Sequence, residues 1–144
     1  MSQPSIKRLT VIDCHTTEVI ASLLVQLSPS CQIPSSQQLS RMIENPSTAI
    51  FLLHTDEGIA GMITVGNYFS PTGRKAWIED VVVDSSQRGK GYGKKLLDHA
   101  IDYVRTLAPC TLMLTSNPSR IAANELYRSS GFEQKFTNVY KMNL

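Results

Sequence analysis

No apolar run in this chain comes near the ~18 residues that a membrane-spanning helix requires, and the opening MSQPSIKRL lacks the basic-then-apolar order of a secretory signal. Cysteine is scarce. Cys14, Cys31 and Cys110 are odd in number, far apart and never spaced as CxxC, which argues against a disulfide framework or a zinc site. Reduced thiols in a cytoplasmic protein, packed as small apolar groups, are the expectation. An excess of one charge is also missing: 14 basic residues against 12 acidic ones leave +2. Aromatic residues make up only 7% and do not interleave with the basic ones, so a nucleic-acid partner is not expected. His15, His54 and His99 share no spacing that would hold a metal.

What remains is an ordinary globular composition, 42% hydrophobic and 18% charged over 144 residues, enough for one domain spanning 1–144 around one core. Ile6 to Ile12 reads as a first strand. Thr16 or Thr17 can cap a helix whose Val19, Ile20, Leu23, Leu24 and Leu27 share a face. A Ser/Pro/Gln-rich loop covers residues 28 to 38, and a short helix around Leu39, Met42 and Ile43 stops at Asn45-Pro46. Ala49 to His54 and Ile59 to Val65 form a hairpin, and a long strand follows from Lys75 to Val83. Leu96, Leu97, Ala100, Ile101 and Val104 recur at helical spacing. Cys110 to Thr115 reads as a doubly buried strand, Ser119 to Ser129 as a helix stopped by Gly131, and Thr137 to Met142 as a final strand. The fold class is α/β (α+β), antiparallel in its first half and strand–helix–strand after that.

Gln87 to Leu97, QRGKGYGKKLL, places three glycines at alternate positions between a strand and a helix start. Gly89, Gly91 and Gly93 carry no Cβ to hold a ligand away, and the helix's first N–H groups and dipole attract an anion. Two common phosphate motifs fail. A GxxxxGK[ST] loop would need Gly at Arg88 and a hydroxyl at Lys95, and GxGxxG from Gly89 would need Gly at Lys94.

What the stretch does match is R-x-x-G-x-G, as Arg88-Gly89-Lys90-Gly91-Tyr92-Gly93. With the preceding IEDVVVD and the later NELYRSSGF, the chain resembles the GNAT family of N-acetyltransferases, strongly from Trp77 to Phe132 and weakly before Phe51. The resemblance implies the acyltransferase fold, a mixed and mostly antiparallel sheet flanked by helices, and acetyl-CoA as co-substrate without a metal. It implies that Arg88, Gly89, Lys90, Gly91, Tyr92 and Gly93 bind the pyrophosphate, with Lys90, Lys94 and Lys95 placed to attract the 3′-phosphate. The main chain of Val81, Val82 and Val83 would pair with the pantetheine arm where this strand splays from the next.

Tyr127 matches the family's general-acid tyrosine, since a phenol of ordinary pKa ~10 protonates a thiolate of pKa ~8.5 only slightly uphill. An amine of pKa ~10 is only about 0.1% neutral at pH 7, so a base matters. Thr115 stands where some relatives place a glutamate, and Glu79 is the candidate base, directly or through water, with Asp80 or water alone as alternatives. Strand alternation would turn Asp80 to the opposite face from Glu79. Arg120 replaces an asparagine common in the family and is a candidate CoA contact together with Asn117, which can equally cap a helix.

The acceptor implied is a primary amine of a small molecule, with the enzyme a monomer or homodimer. A protein N-terminus or lysine, and a CoA-binding regulator without turnover, stand as alternatives.

Overall fold

The computed structural model describes residues 2–144. Along the chain run β1 (Ser5–Arg8), α1 (Cys14–Leu27), α2 (Ser36–Glu44), β2 (Thr48–Thr55), β3 (Gly58–Ser70), β4 (Gly73–Val83), a 3-10 turn (Ser85–Gln87), α3 (Tyr92–Arg105), β5 (Cys110–Met113) and α4 (Ile121–Ser129). Two compact units are distinguishable, one ending at Leu114 and the other running from Thr115 to Leu144.

The first unit is a five-stranded sheet in the order β1-β2-β3-β4-β5, antiparallel except for the parallel pair β4–β5. Its faces are set by residue parity. Ile50, Leu52, Met62 and Val82 join Ile20, Leu23 and Leu24 of α1 and Leu39 of α2 in one apolar cluster. Phe51, between Ile50 and Leu52, points the other way and meets His99 and Tyr103 of α3 edge-on, at 4.7 and 5.2 Å between ring centres. Helices therefore cover both faces, and α3 contributes the buried Leu96, Leu97, Ala100 and Val104 foreseen from its spacing.

Local chemistry shifts several expected boundaries. The first strand is only Ser5–Arg8, because Asp13 starts α1 earlier than a Thr16 or Thr17 cap would. Its carboxylate accepts from Thr16 N at 2.7 Å. Ser35 and Gln38 close a reciprocal capping box on α2, so the polar loop ends there. The doubly buried strand is instead a half-buried edge strand of four residues.

The second unit comprises a turn, α4 and a tail. Gly131 (φ +102°) follows the helix in the left-handed conformation anticipated for it. The final strand expected at Thr137 to Met142 does not form: the tail has no regular structure, with Phe136, Val139, Tyr140 and Met142 exposed. Alternating apolar residues create strand propensity, but a strand also needs a partner edge to satisfy its backbone groups.

Candidate active site

β4 is where the sheet departs from regularity. Met62 pairs with Val82 and Thr64 with Glu79, so two steps along β3 correspond to three along β4. The extra residue makes a β-bulge, and Asp80 there has φ +50°, the single non-glycine residue with positive φ among the described residues. Aspartate tolerates this region better than most side chains. Across an antiparallel pair, opposed residues share a face, so Glu79 and Val82 lie on the same side of the sheet despite being three residues apart. Strict alternation would put Glu79 and Val82 on opposite faces, and the bulge is what brings them to the same one.

β5 accompanies β4 only where Cys110–Met113 pair with Arg74–Trp77. From Ile78 to Val83 the outer edge of β4 has no strand beside it among the described residues. On the inner edge Gly61 is required, because a Cβ there would sit 2.9 Å from Val82 O and 3.1 Å from Leu96 Cδ1. The two carboxylates at the bulge remain exposed, yet the surrounding protein penalises their charged forms. Desolvation, and then the charge of Asp80, hold the Glu79 carboxyl above the ordinary glutamate range, while desolvation alone raises Asp80.

Past β4 the chain is clamped. Gln26 of α1 accepts from Ser85 N at 2.8 Å and donates to Asp84 at 3.2 Å. Hydrogen bonds from the Ser86 side chain, then its backbone, then Gln26 hold the Asp84 carboxyl below the usual aspartate range. Arg88 Nε donates to Val83 O at 3.2 Å, folding the loop back on the strand end. Gly89 (φ +79°) and Gly91 (φ +78°) are left-handed, and Gly91 is the N-cap of α3 without any side-chain cap. Gly93 lies inside the helix, so left-handed freedom is used at two of the three glycines. The first turn of α3 thus lacks a side-chain cap and directly follows two left-handed residues without Cβ atoms, a chemistry suited to an anion.

In the second unit, Asn117 Oδ1 accepts from Ser119 N at 2.9 Å, and Arg120 N donates to Asn117 O at 3.0 Å. Asn124 donates to the carbonyls of Asn117 and Arg120 at 2.9 and 2.7 Å, fixing the turn before α4. Asn117 therefore shapes a turn and does not cap the helix, whose N-cap is Arg120. Tyr127 is buried on α4, its ring edge-on to Phe132 at 6.2 Å.

The model of the acetyltransferase (GNAT) family matches residues 17–132. The chain belongs to the GNAT acetyltransferase family. It is 30% identical over 92 residues to the uncharacterized N-acetyltransferase YhdJ of Bacillus subtilis strain 168, a match covering 63% of this chain and 65% of that protein. It is 37% identical over 60 residues to the [ribosomal protein bS18]-alanine N-acetyltransferase of Salmonella typhimurium, covering 42% of this chain and 40% of that one. The chain thus aligns with less than two thirds of either relative. A putative acetyltransferase from Agrobacterium tumefaciens shares the fold, with a TM-score of 0.82 at 24% identity over 96% of this chain and 99% of its own.

Of the residues singled out from sequence, Glu79, Asp80, Val81, Val82, Val83 and Arg88 to Lys94 form one continuous stretch of this GNAT chain, along the open strand edge into the helix start. Lys94 is occupied by Asp98 at 2.6 Å, and Lys90 by Gln87 at 2.8 Å. Tyr127, Asn117 and Arg120 belong to the second unit. Sequence reasoning passed over Gln26, Glu57 and Gln87, whose partners in this network are 59, 30 and 30 residues away along the chain.

The raised Asp80 carboxyl has a consequence for stability. A folded pKa above the unfolded one means that the folded state holds the proton more tightly. Asp80's contribution is then most favourable below about pH 4 and is lost as pH rises through the elevated folded value. Asp80→Asn removes the charge and keeps a side chain that tolerates the left-handed backbone. It is expected to raise Tm at pH 7 by about 1–2 °C, solvent screening keeping the gain small, and the gain should vanish near pH 4 in a calorimetric pH series.

Proposed function

We propose that this chain is an acetyl-CoA-dependent N-acetyltransferase that acetylates a primary amine of a small molecule. In this reading residues 1–144 act as one domain, in the cytoplasm, as a monomer or homodimer. The observation that carries it is the unpartnered edge of β4, running from the Glu79–Asp80 bulge toward the left-handed glycines at the uncapped start of α3.

Acetyl-CoA supplies the acyl group and a thiolate leaving group. The N–H groups of Gly89 to Gly93 and of the helix start hold its pyrophosphate, and the main chain of Val81 to Val83 holds its amide-bearing arm in the manner of an added strand. Arg88, Tyr92, Lys94 and Arg120 supply charge and contact around it, with Asn117 shaping the turn beside Arg120. The two carboxylates draw an ammonium group to the bulge. Glu79, its proton affinity raised by desolvation and then by the charge of Asp80, accepts a proton from the amine directly or through water. A main-chain N–H at Val81 or Val82 donates to the oxygen that gains charge as the amine attacks. Tyr127 O–H gives its proton to the departing sulfur.

A protein α-amine is the second reading, favoured by the identity to the ribosomal-protein enzyme over 60 residues. Thiol release from acetyl-CoA, measured over a panel of small amines and an alanine-terminated peptide, decides between them. Turnover confined to the peptide would replace the first reading. Binding without turnover would make the chain a CoA-responsive regulator. Acetyl-CoA at a hundred times its Kd should add about 2.7 kcal/mol of stability, and no melting shift at saturation would overturn the assignment. Within the same assay, Glu79→Gln should lower turnover at neutral pH, with a deficit that shrinks at high pH where free amine is plentiful. A deficit equal at every pH would remove Glu79 as base.

A further inference from the structure

Gln87 is a buried polar residue, 8% exposed, at the end of the 3-10 turn. Its Nε2 donates to the carboxylate of Glu57, thirty residues earlier in the turn between β2 and β3. Its Oε1 accepts from Lys90 Nζ at 2.8 Å. A carboxamide between a carboxylate and an ammonium has one satisfactory orientation, because only its nitrogen donates and only its oxygen accepts. Burial makes either bond expensive to lose. Lys90 in turn sits between the two left-handed glycines, Gly89 and Gly91. Glycine backbones are the most expensive to order on binding, so a loop built on them gains most from being fixed beforehand.

We infer that Gln87 is a positioning residue for the anion-holding loop. The relay Glu57–Gln87–Lys90 anchors the loop to the rigid β2–β3 hairpin and fixes it in its binding shape before any ligand arrives. This rests on the reading of the loop as the pyrophosphate site. It further assigns the Lys90 ammonium to holding the loop through Gln87. It also gives Glu57, an acidic residue of a hairpin turn, an effect on affinity for an anion, opposite in sign to what its charge alone would produce.

The test compares affinity for CoA with affinity for S-acetylpantetheine, which lacks the pyrophosphate. Wild-type protein should bind CoA far more tightly; no preference would overturn the loop reading itself. Gln87→Leu keeps the apolar bulk and removes the amide. It should weaken CoA binding about 10–30-fold, leave S-acetylpantetheine binding within about 2-fold, and raise KM for acetyl-CoA with kcat nearly unchanged. An unchanged CoA-to-pantetheine ratio in this variant would overturn the inference.

A reciprocal exchange keeps the question decidable if Gln87→Leu fails to fold. Gln87→Glu sets two carboxylates together and should weaken CoA selectively. The double variant E57Q/Q87E reverses which side chain donates while keeping the ammonium paired, and should recover CoA affinity to within about 3-fold of wild type. A double variant no better than Gln87→Glu alone would refute the relay.

Discussion

Gly91→Val is expected to yield a folded protein that no longer binds CoA measurably. Free space surrounds the position, with no heavy atom within 4 Å of where a Cβ would stand, so the apo protein meets no clash. The penalty comes from the backbone: at φ +78° a β-branched residue is strained, and the chain relaxes by moving its N–H groups out of alignment. Its side chain also occupies the approach that a phosphate would need. Hydrogen bonds to a charged group contribute about 1.5–3 kcal/mol each, so losing two is worth at least 100-fold in Kd. Titration calorimetry with CoA, beside a thermal melt of the apo protein, checks both halves. Retained affinity in a folded variant would exclude the loop as the pyrophosphate site. Gly91→Ala, with the same backbone conflict and little bulk, should fall between the two.

Tyr127→Phe should cost turnover about 10²–10⁴-fold, the usual worth of a positioned acid. The ring is buried and edge-on to Phe132, and the substitution preserves both, so the fold should survive. Acetyl-CoA affinity should change far less, since a single hydroxyl contact is worth about 1 kcal/mol. Thioesters whose thiol is a better leaving group need a proton less and should lose less rate. Turnover unchanged with every thioester would remove Tyr127 from the chemistry.

The parts of the site that were legible in the sequence are the local ones. Gly89 and Gly91 declare themselves because a strand, a tight loop and a helix start follow one another within a dozen residues. α3 was legible because Leu96, Leu97, Ala100 and Val104 repeat with the period of the helix that buries them. The bulge is different in kind. It is a mismatch of register between β3 and β4, and the run IEDVVVD looks the same with or without it. Only the left-handed Asp80, a residue type that tolerates such angles, left a trace. Gln87 and Glu57 were illegible because their meeting depends on the closing of the hairpin between them. The tail shows the opposite error: Val139 and Tyr140 carry strand propensity, which pairing and not composition must fulfil.

Counted by residues, β4 is a regular strand with one more residue than its pairing with β3 uses. Were Asp80 absent, Glu79 would still oppose Thr64, Val82 would still oppose Met62, and Val81 would drop into place across from Ile63. The apolar cluster has no stake in that residue, which carries an unfavourable backbone angle and a desolvated charge. The edge of the sheet can therefore change its chemistry at Asp80 without changing how the sheet is built.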